Sequence, residues 1–137
     1  MSSFVAHGSI SVKVDGRVLI VEGTGPWNAE SLDESGENAK GVLESLKGAP
    51  WGVIVVVRGE PIHVPDAAKQ LTQIIRDEKR VGRSATALLV EDSDSPRFAK
   101  NHIGEIYREA GENFAFFSDF NHAKAWVLDK VKQAELV

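Results

Sequence analysis

The segment that most limits how this chain can fold is a nearly unbroken apolar stretch from Trp51 to Val57, with four valines and one isoleucine. A strand without polar alternation is typical of the centre of a sheet, where helices cover both of its faces. The stretch therefore predicts a buried central strand in an α/β domain.

The first part of the chain is predicted to form an antiparallel hairpin. Residues 9–14 alternate apolar and polar side chains, Asp15-Gly16 marks a turn, and residues 17–24 are again largely apolar. Gly25-Pro26 is expected to end the second strand, because proline has no N–H to give to a ladder. Asn28 is expected to cap a helix over residues 29–47.

Strands and helices then alternate to the end of the chain. Arg58 to Val64 carries Gly59 and Pro61 and is predicted to be a loop. The later predicted elements are a helix over 65–80, a strand over 84–90, a helix capped by Ser95 that begins at Pro96 and ends at Gly111, a strand over 113–117, and a last helix capped by Asp119 or Asn121. This order requires parallel pairing through right-handed crossovers. The predicted fold is α/β, a five-stranded mixed, mostly parallel sheet with an N-terminal antiparallel hairpin and four helices.

The composition fits one domain over residues 1–137 and argues against several kinds of protein. The 16 Lys and Arg and 20 Asp and Glu residues are interspersed, so a nucleic-acid footprint is not favoured. The chain has no cysteine, which excludes disulfides and thiolate chemistry and favours the cytoplasm. The longest apolar run, Val53 to Val57, is too short to cross a bilayer, and Met1 to Ile10 lacks the pattern of a signal peptide.

The order of elements, the turn Gly25-Pro26-Trp27-Asn28 and the segment Asp119 to Trp126 resemble the SpoIIAA-like, or STAS, superfamily over nearly the whole chain. Within it, the chain is most similar to small bacterial proteins of unknown function with a His7-Gly8 start and a Pro50-Trp51 lead into the middle strand. The resemblance implies a non-enzymatic regulatory or protein-interaction module. Anti-sigma antagonists of the superfamily carry a phosphorylatable serine after the central strand. Residues 58–66 contain no serine, threonine or tyrosine, so the phosphoswitch is not carried over.

Candidate binding residues are expected where the parallel strands end, because loops and helix N-termini meet at that edge. The predicted ligand- or partner-binding residues are Trp27, Asn28, Arg58, Glu60, His63 and Asp66. Trp27 and Asn28 have a competing structural explanation, as a partly buried side chain and a helix cap. No catalytic residue is predicted, because a pair such as His63 with Glu60 or Asp66 must first lie within hydrogen-bond reach.

Three functions stay open at this point, and the third in order is an enzyme that uses His63 with Glu60 or Asp66. The leading hypothesis is a module that recognises a protein partner through the edge loops and the first turn of the second predicted helix. The alternative is a small apolar-ligand or lipid carrier or sensor of SEC14-like type, as a related lipid-binding fold suggests, with Trp27, Trp51 and Phe117 around an apolar cavity.

No cofactor or metal site is predicted. The four histidines, His7, His63, His102 and His122, lack the spacing of metal ligands. Self-association into a homodimer is a further expectation, because the hairpin edge offers unpaired backbone groups and Phe4 and Val5 lie beside it in the sequence.

Overall fold

The apolar stretch forms the middle of the sheet in the computed structural model, which describes residues 9–136, without the side chains of residues 61 and 62. The five strands are β1 (Ser9–Asp15), β2 (Val18–Trp27), β3 (Trp51–His63), β4 (Arg83–Val90) and β5 (Phe114–Phe116), and they lie side by side in that order. Strands β1 and β2 are antiparallel, and the other pairs are parallel. The predicted sheet and its central strand are confirmed. Phe4, Val5, His7 and Gly8 lie outside the described residues.

Four helices cover the two faces of the sheet. They are α1 (Ala29–Leu46), α2 (Pro65–Lys79), α3 (Pro96–Glu109) and α4 (Phe120–Glu135). Ile54 and Val56 pack with Val127 of α4 on one face. The alternate residues of β3 face the other three helices, with Val53 against Leu46 of α1 and Val57 against residues of α2 and α3. None of the described helices is long and apolar enough to span a membrane.

Helix α4 lies so close to the sheet that β3 needs a glycine beneath it. A Cβ atom added at Gly52 would lie 2.3 Å from Val127 Cγ1 and 3.1 Å from Val131 Cγ2. Any side chain at this position would push α4 outward, because protein interiors are packed without spare space. The glycine inside the apolar stretch thus sets the distance between sheet and helix.

The ends of β2 and β3 differ from the prediction. Gly25-Pro26 does not end β2, and residues 58–63 are not a loop, because the two strands continue together as far as the pair Trp27 and His63. The register shifts between Gly25 and Trp27, which is where a strand tolerates a proline. At Gly25 an added Cβ would lie 2.0 Å from the carbonyl oxygen of Glu60, so only glycine permits this close pairing.

The helix caps follow the local sequence in two of three predicted positions. Asn28 caps α1 through a reciprocal bond with Ser31, and the Asp119 side chain accepts from the His122 N–H at 2.9 Å. Ser95 stands at the N-cap of α3, but its side chain makes no capping hydrogen bond. The α3 start rests instead on Pro96 at the first helical position.

Candidate functional site

The extended ends of β2 and β3 place the predicted binding residues at the carboxyl edge of the parallel strands. The Val64 N–H donates to the Trp27 carbonyl at 3.2 Å, which holds the two strand ends together just before α1 and α2 begin. Side chains at this edge are therefore fixed by the sheet ladder and not by a loop. The edge has a buried part and an exposed part.

Trp27 and Asn28 have clear structural roles. The Trp27 indole is buried, and its Nε1 donates to the Ser9 carbonyl at 3.3 Å. Asn28 Oδ1 accepts from the Ser31 N–H at 3.0 Å, and Ser31 Oγ accepts from the Asn28 N–H at 2.8 Å. These contacts account for both residue types at these positions, and a contact with a partner stays a prediction.

The exposed part of the edge is a group of charged side chains, which we call the charged rim. It consists of Glu22, Arg58, Glu60, Asp66 and Glu91. Arg58 lies between Glu22 and Glu91 and donates to each carboxylate at 3.1 Å. These bonds, the one to Glu22 most strongly, raise the pKa of Arg58 against the effect of its partial burial. Glu60 and Asp66 are exposed.

The buried part of the edge contains a stack of four rings. Trp27 and His63 have ring centroids 4.8 Å apart, and the centroids of His63 and His102 lie 5.7 Å apart. The stack ends at Phe98, 6.2 Å from His102 and 57% exposed. His63, by contrast, is only 9% exposed. The structure thus separates His63 from Glu60 and Asp66, which face solvent.

Burial determines the charge state of His63. Removal of its ring from water, together with the nearby His102, lowers the pKa of His63 to about 4, so the imidazole is neutral at physiological pH. The His63 backbone N–H donates to His102 Nε2 at 3.0 Å. The pKa of His102 is also lowered by burial. His63 Nδ1 is buried and has no hydrogen-bond partner among the described residues.

No sequence pattern connects His102 with this edge, because it lies on α3, 39 positions beyond His63 at the end of β3. His122 is exposed on α4, and His7 lies outside the described residues. Within residues 9–136, no three His, Asp or Glu side chains come together as ligands for a metal ion.

A second polar cluster lies at the opposite, amino edge of the sheet. Arg83 donates to Glu78 at 2.6 Å, to Glu112 at 2.8 Å and to Thr86 at 2.8 Å, and Lys79 pairs with Glu112 at 2.9 Å. Burial acts to raise the pKa of Glu112, but Arg83 and the hydrogen bonds outweigh it and hold the pKa below its usual value. The cluster is fully paired, and its effect is to join the ends of α2, β4 and α3.

An apolar cavity of about 140 Å³ lies between the sheet and helices α1, α2 and α3. Of the three aromatic residues expected around a cavity, only Trp27 lines it. Trp51 is fully buried in the core beside Val53, and Phe117 packs against Trp126 on the opposite face of the sheet. The expectation was wrong for Phe117 because β5 is followed directly by α4, which lies on that other face.

The structure is similar to that of an uncharacterised protein of the DUF3478 family with a SpoIIAA-like fold from Shewanella loihica PV-4. The TM-score is 0.56, the sequences are 17% identical, and the match covers 93% of this chain and 98% of that one. The chain has a SpoIIAA-like fold. No family model and no curated protein matches the sequence. The SpoIIAA-like resemblance inferred from the order of elements is confirmed at the level of the fold.

Proposed function

We propose that this SpoIIAA-like chain is a non-enzymatic regulatory or protein-interaction module of STAS-like type, which binds a protein partner through the charged rim. The observation that carries the proposal is the arrangement of the rim itself. Glu22 and Arg58 lie on the neighbouring strands β2 and β3, Glu91 directly follows β4, and the three are joined by two ion pairs, so a polar surface is held in a fixed geometry.

The charge of the rim indicates the kind of partner. The charge of Arg58 is offset by the two carboxylates that it contacts, and Glu60 on β3 and Asp66 in the first turn of α2 add exposed negative charge at the same edge of the sheet. Complementary charge guides association and selects among partners. The expected partner therefore presents a basic surface, and it meets this chain in the bacterial cytoplasm that the cysteine-free sequence favours.

The geometry gives less support to catalysis or to lipid transport. His63 Nδ1 makes no hydrogen bond with Glu60 or Asp66, so that ring atom has no carboxylate partner for acid–base chemistry. The cavity of about 140 Å³ is close to the volume of roughly 150 Å³ that accommodates one benzene molecule, which is far too small for an acyl chain.

Charge reversal at the rim tests the proposal. We expect Glu60→Lys with Asp66→Lys to abolish recovery of a partner that the native chain captures from extract of its source cells. The matched control is Glu105→Lys with Glu109→Lys, which reverses two exposed charges on α3 near the opposite edge of the sheet. The control should recover the same partner as the native chain. Equal recovery by the rim variant and the control would contradict the proposal, as would the failure of the native chain to capture any partner.

Self-association through β1 stays a separate prediction. Light scattering coupled to size-exclusion chromatography measures the mass directly, and the mass of a single chain at every concentration tested would contradict self-association.

A further inference from the structure

The cavity between the sheet and helices α1, α2 and α3 has mostly apolar walls. Val21 and Val55 form its floor, Ala39 of α1 and Leu71 and Ile74 of α2 form its sides, and His63 lies at its carboxyl edge. Val21 and Val55 occupy the middle of β2 and β3 and yet are only half-buried. Their exposure comes from the cavity and not from a sheet edge, because each is paired with strands on both sides.

Small side chains on α1 create this space. Ser35, Gly36 and Ala39 all line the cavity, at positions where larger apolar side chains would fill the gap above the valines. Gly36 is itself exposed and therefore lies at the mouth of the cavity, where an added Cβ atom would meet nothing within 4 Å. Interiors of small domains contain few voids larger than a water molecule, so a gap of this size needs an explanation.

One residue that lines the cavity has a buried polar atom without a partner among the described residues. His63 lines the cavity, is nine-tenths buried, and its Nδ1 makes no hydrogen bond among the described residues. A buried polar atom without a partner is destabilising and calls for an explanation such as a bound ligand. At the other end of the cavity, the Arg83 guanidinium is already bonded to Glu78, Glu112 and Thr86, so it does not attract an anionic ligand.

We propose that the cavity binds a compact hydrophobic alcohol or phenol, about the size of one aromatic ring, whose hydroxyl group forms a hydrogen bond with His63 Nδ1. The size follows from the volume, since a dry cavity of roughly 150 Å³ binds benzene. A hydroxyl group suits either tautomer of the neutral imidazole, because it both donates and accepts. This site goes beyond the interaction module proposed above and does not depend on it.

Phenol and benzene serve as the probes, and NMR titration of the backbone amides measures their binding. Phenol should shift the amides around Val21, Val55 and His63 in the native chain. Gly36→Leu places a large side chain at the mouth of the cavity and should weaken phenol binding by about tenfold or more. Gly41→Leu is the matched control, because Gly41 is an exposed glycine of the same helix that does not line the cavity. It should leave the affinity unchanged. Ala39→Leu is a second filling variant, used if Gly36→Leu does not fold.

The role of His63 is tested separately with His63→Phe. We expect this variant to weaken phenol binding by about tenfold while it retains benzene, because only phenol has the hydroxyl group. Three results would overturn the proposal: no phenol binding by the native chain, equal phenol affinity in Gly36→Leu and Gly41→Leu, or displacement of phenol by a long-chain fatty acid that binds more tightly. Equal loss of phenol and benzene in His63→Phe would overturn the hydrogen bond to Nδ1.

Discussion

The buried His63 predicts that the fold loses stability in weak acid, well above the pH at which carboxylates titrate. The pKa of His63 is about 4 in the folded chain, against an ordinary value of 6.5 when the chain is unfolded. Between these values the unfolded state binds more protons than the folded state, so the free energy of unfolding falls as the pH falls. From pH 7 to pH 5 this single group accounts for a loss of about 2 kcal/mol.

Urea unfolding at pH 7 and pH 5, followed by tryptophan fluorescence, measures this loss. His63→Phe keeps a ring against Trp27 and should remove most of the difference between the two pH values. A smaller slope should remain in that variant, because the pKa of His102 is also lowered by burial. His122→Phe is the matched control, since His122 is an exposed histidine on α4.

Two results would refute this reasoning. One is a free energy of unfolding that stays constant between pH 7 and pH 5 in the native chain. The other is a His63→Phe variant that keeps the full slope of the native chain. The control His122→Phe should be indistinguishable from the native chain at both pH values.

Two other substitutions, Gly52→Ala and Glu112→Gln, test the packing of α4 on the sheet and the buried ion pair. Gly52→Ala should lower the free energy of unfolding by about 1–3 kcal/mol, because the new methyl group meets Val127 of α4. The control, Gly41→Ala, lies at an open position on α1 and should raise the free energy of unfolding by up to about 1 kcal/mol. Equal effects of the two changes in urea unfolding would be inconsistent with a close approach of α4. Glu112→Gln removes one of the two carboxylate partners of the buried Arg83, Glu78 being the other, and should cost up to about 3–5 kcal/mol, measured in the same way. A change within the error of the native value would show that the pair is not buried.

Local sequence patterns were enough to predict the sheet and its layers. The alternation of apolar and polar residues before Asp15 indicates a strand with one covered face. The unbroken apolar stretch after Pro50 indicates a strand that is covered on both faces. The caps at Asn28 and Asp119 also follow from the residue type alone, because the capping bond forms within three residues. These features depend on residues that are close together along the chain, so they can be predicted from the sequence alone.

The strand ends could not be predicted in the same way. Gly25, Pro26, Gly59 and Pro61 each interrupt a strand when its sequence is considered alone. In the structure the two interrupted segments pair with each other, and Gly25 permits their close contact. Each segment is stabilised by pairing with the other segment, which lies more than thirty positions away in the sequence.

The residues that line the cavity and the buried polar groups could not be predicted for a related reason. In the sequence, small residues of α1 such as Gly36 indicate only a low helix propensity. Whether they leave a cavity depends on which residues of the sheet lie beneath them. Arg83 and Glu112 are 29 positions apart, and no local pattern connects them. The sequence pattern predicts that His63 lies in a loop, whereas the extension of β3 buries it.

The central hypothesis is that the charged rim is the surface that meets a protein partner. Site-specific photo-cross-linking in cells of the source organism tests it most directly, with a photo-reactive amino acid in place of Glu60 or, as the control, Glu105. If the rim is that surface, a covalent adduct with a basic partner forms from position 60 and none forms from position 105. An adduct from position 105 but not from position 60, or no adduct from either, would contradict it.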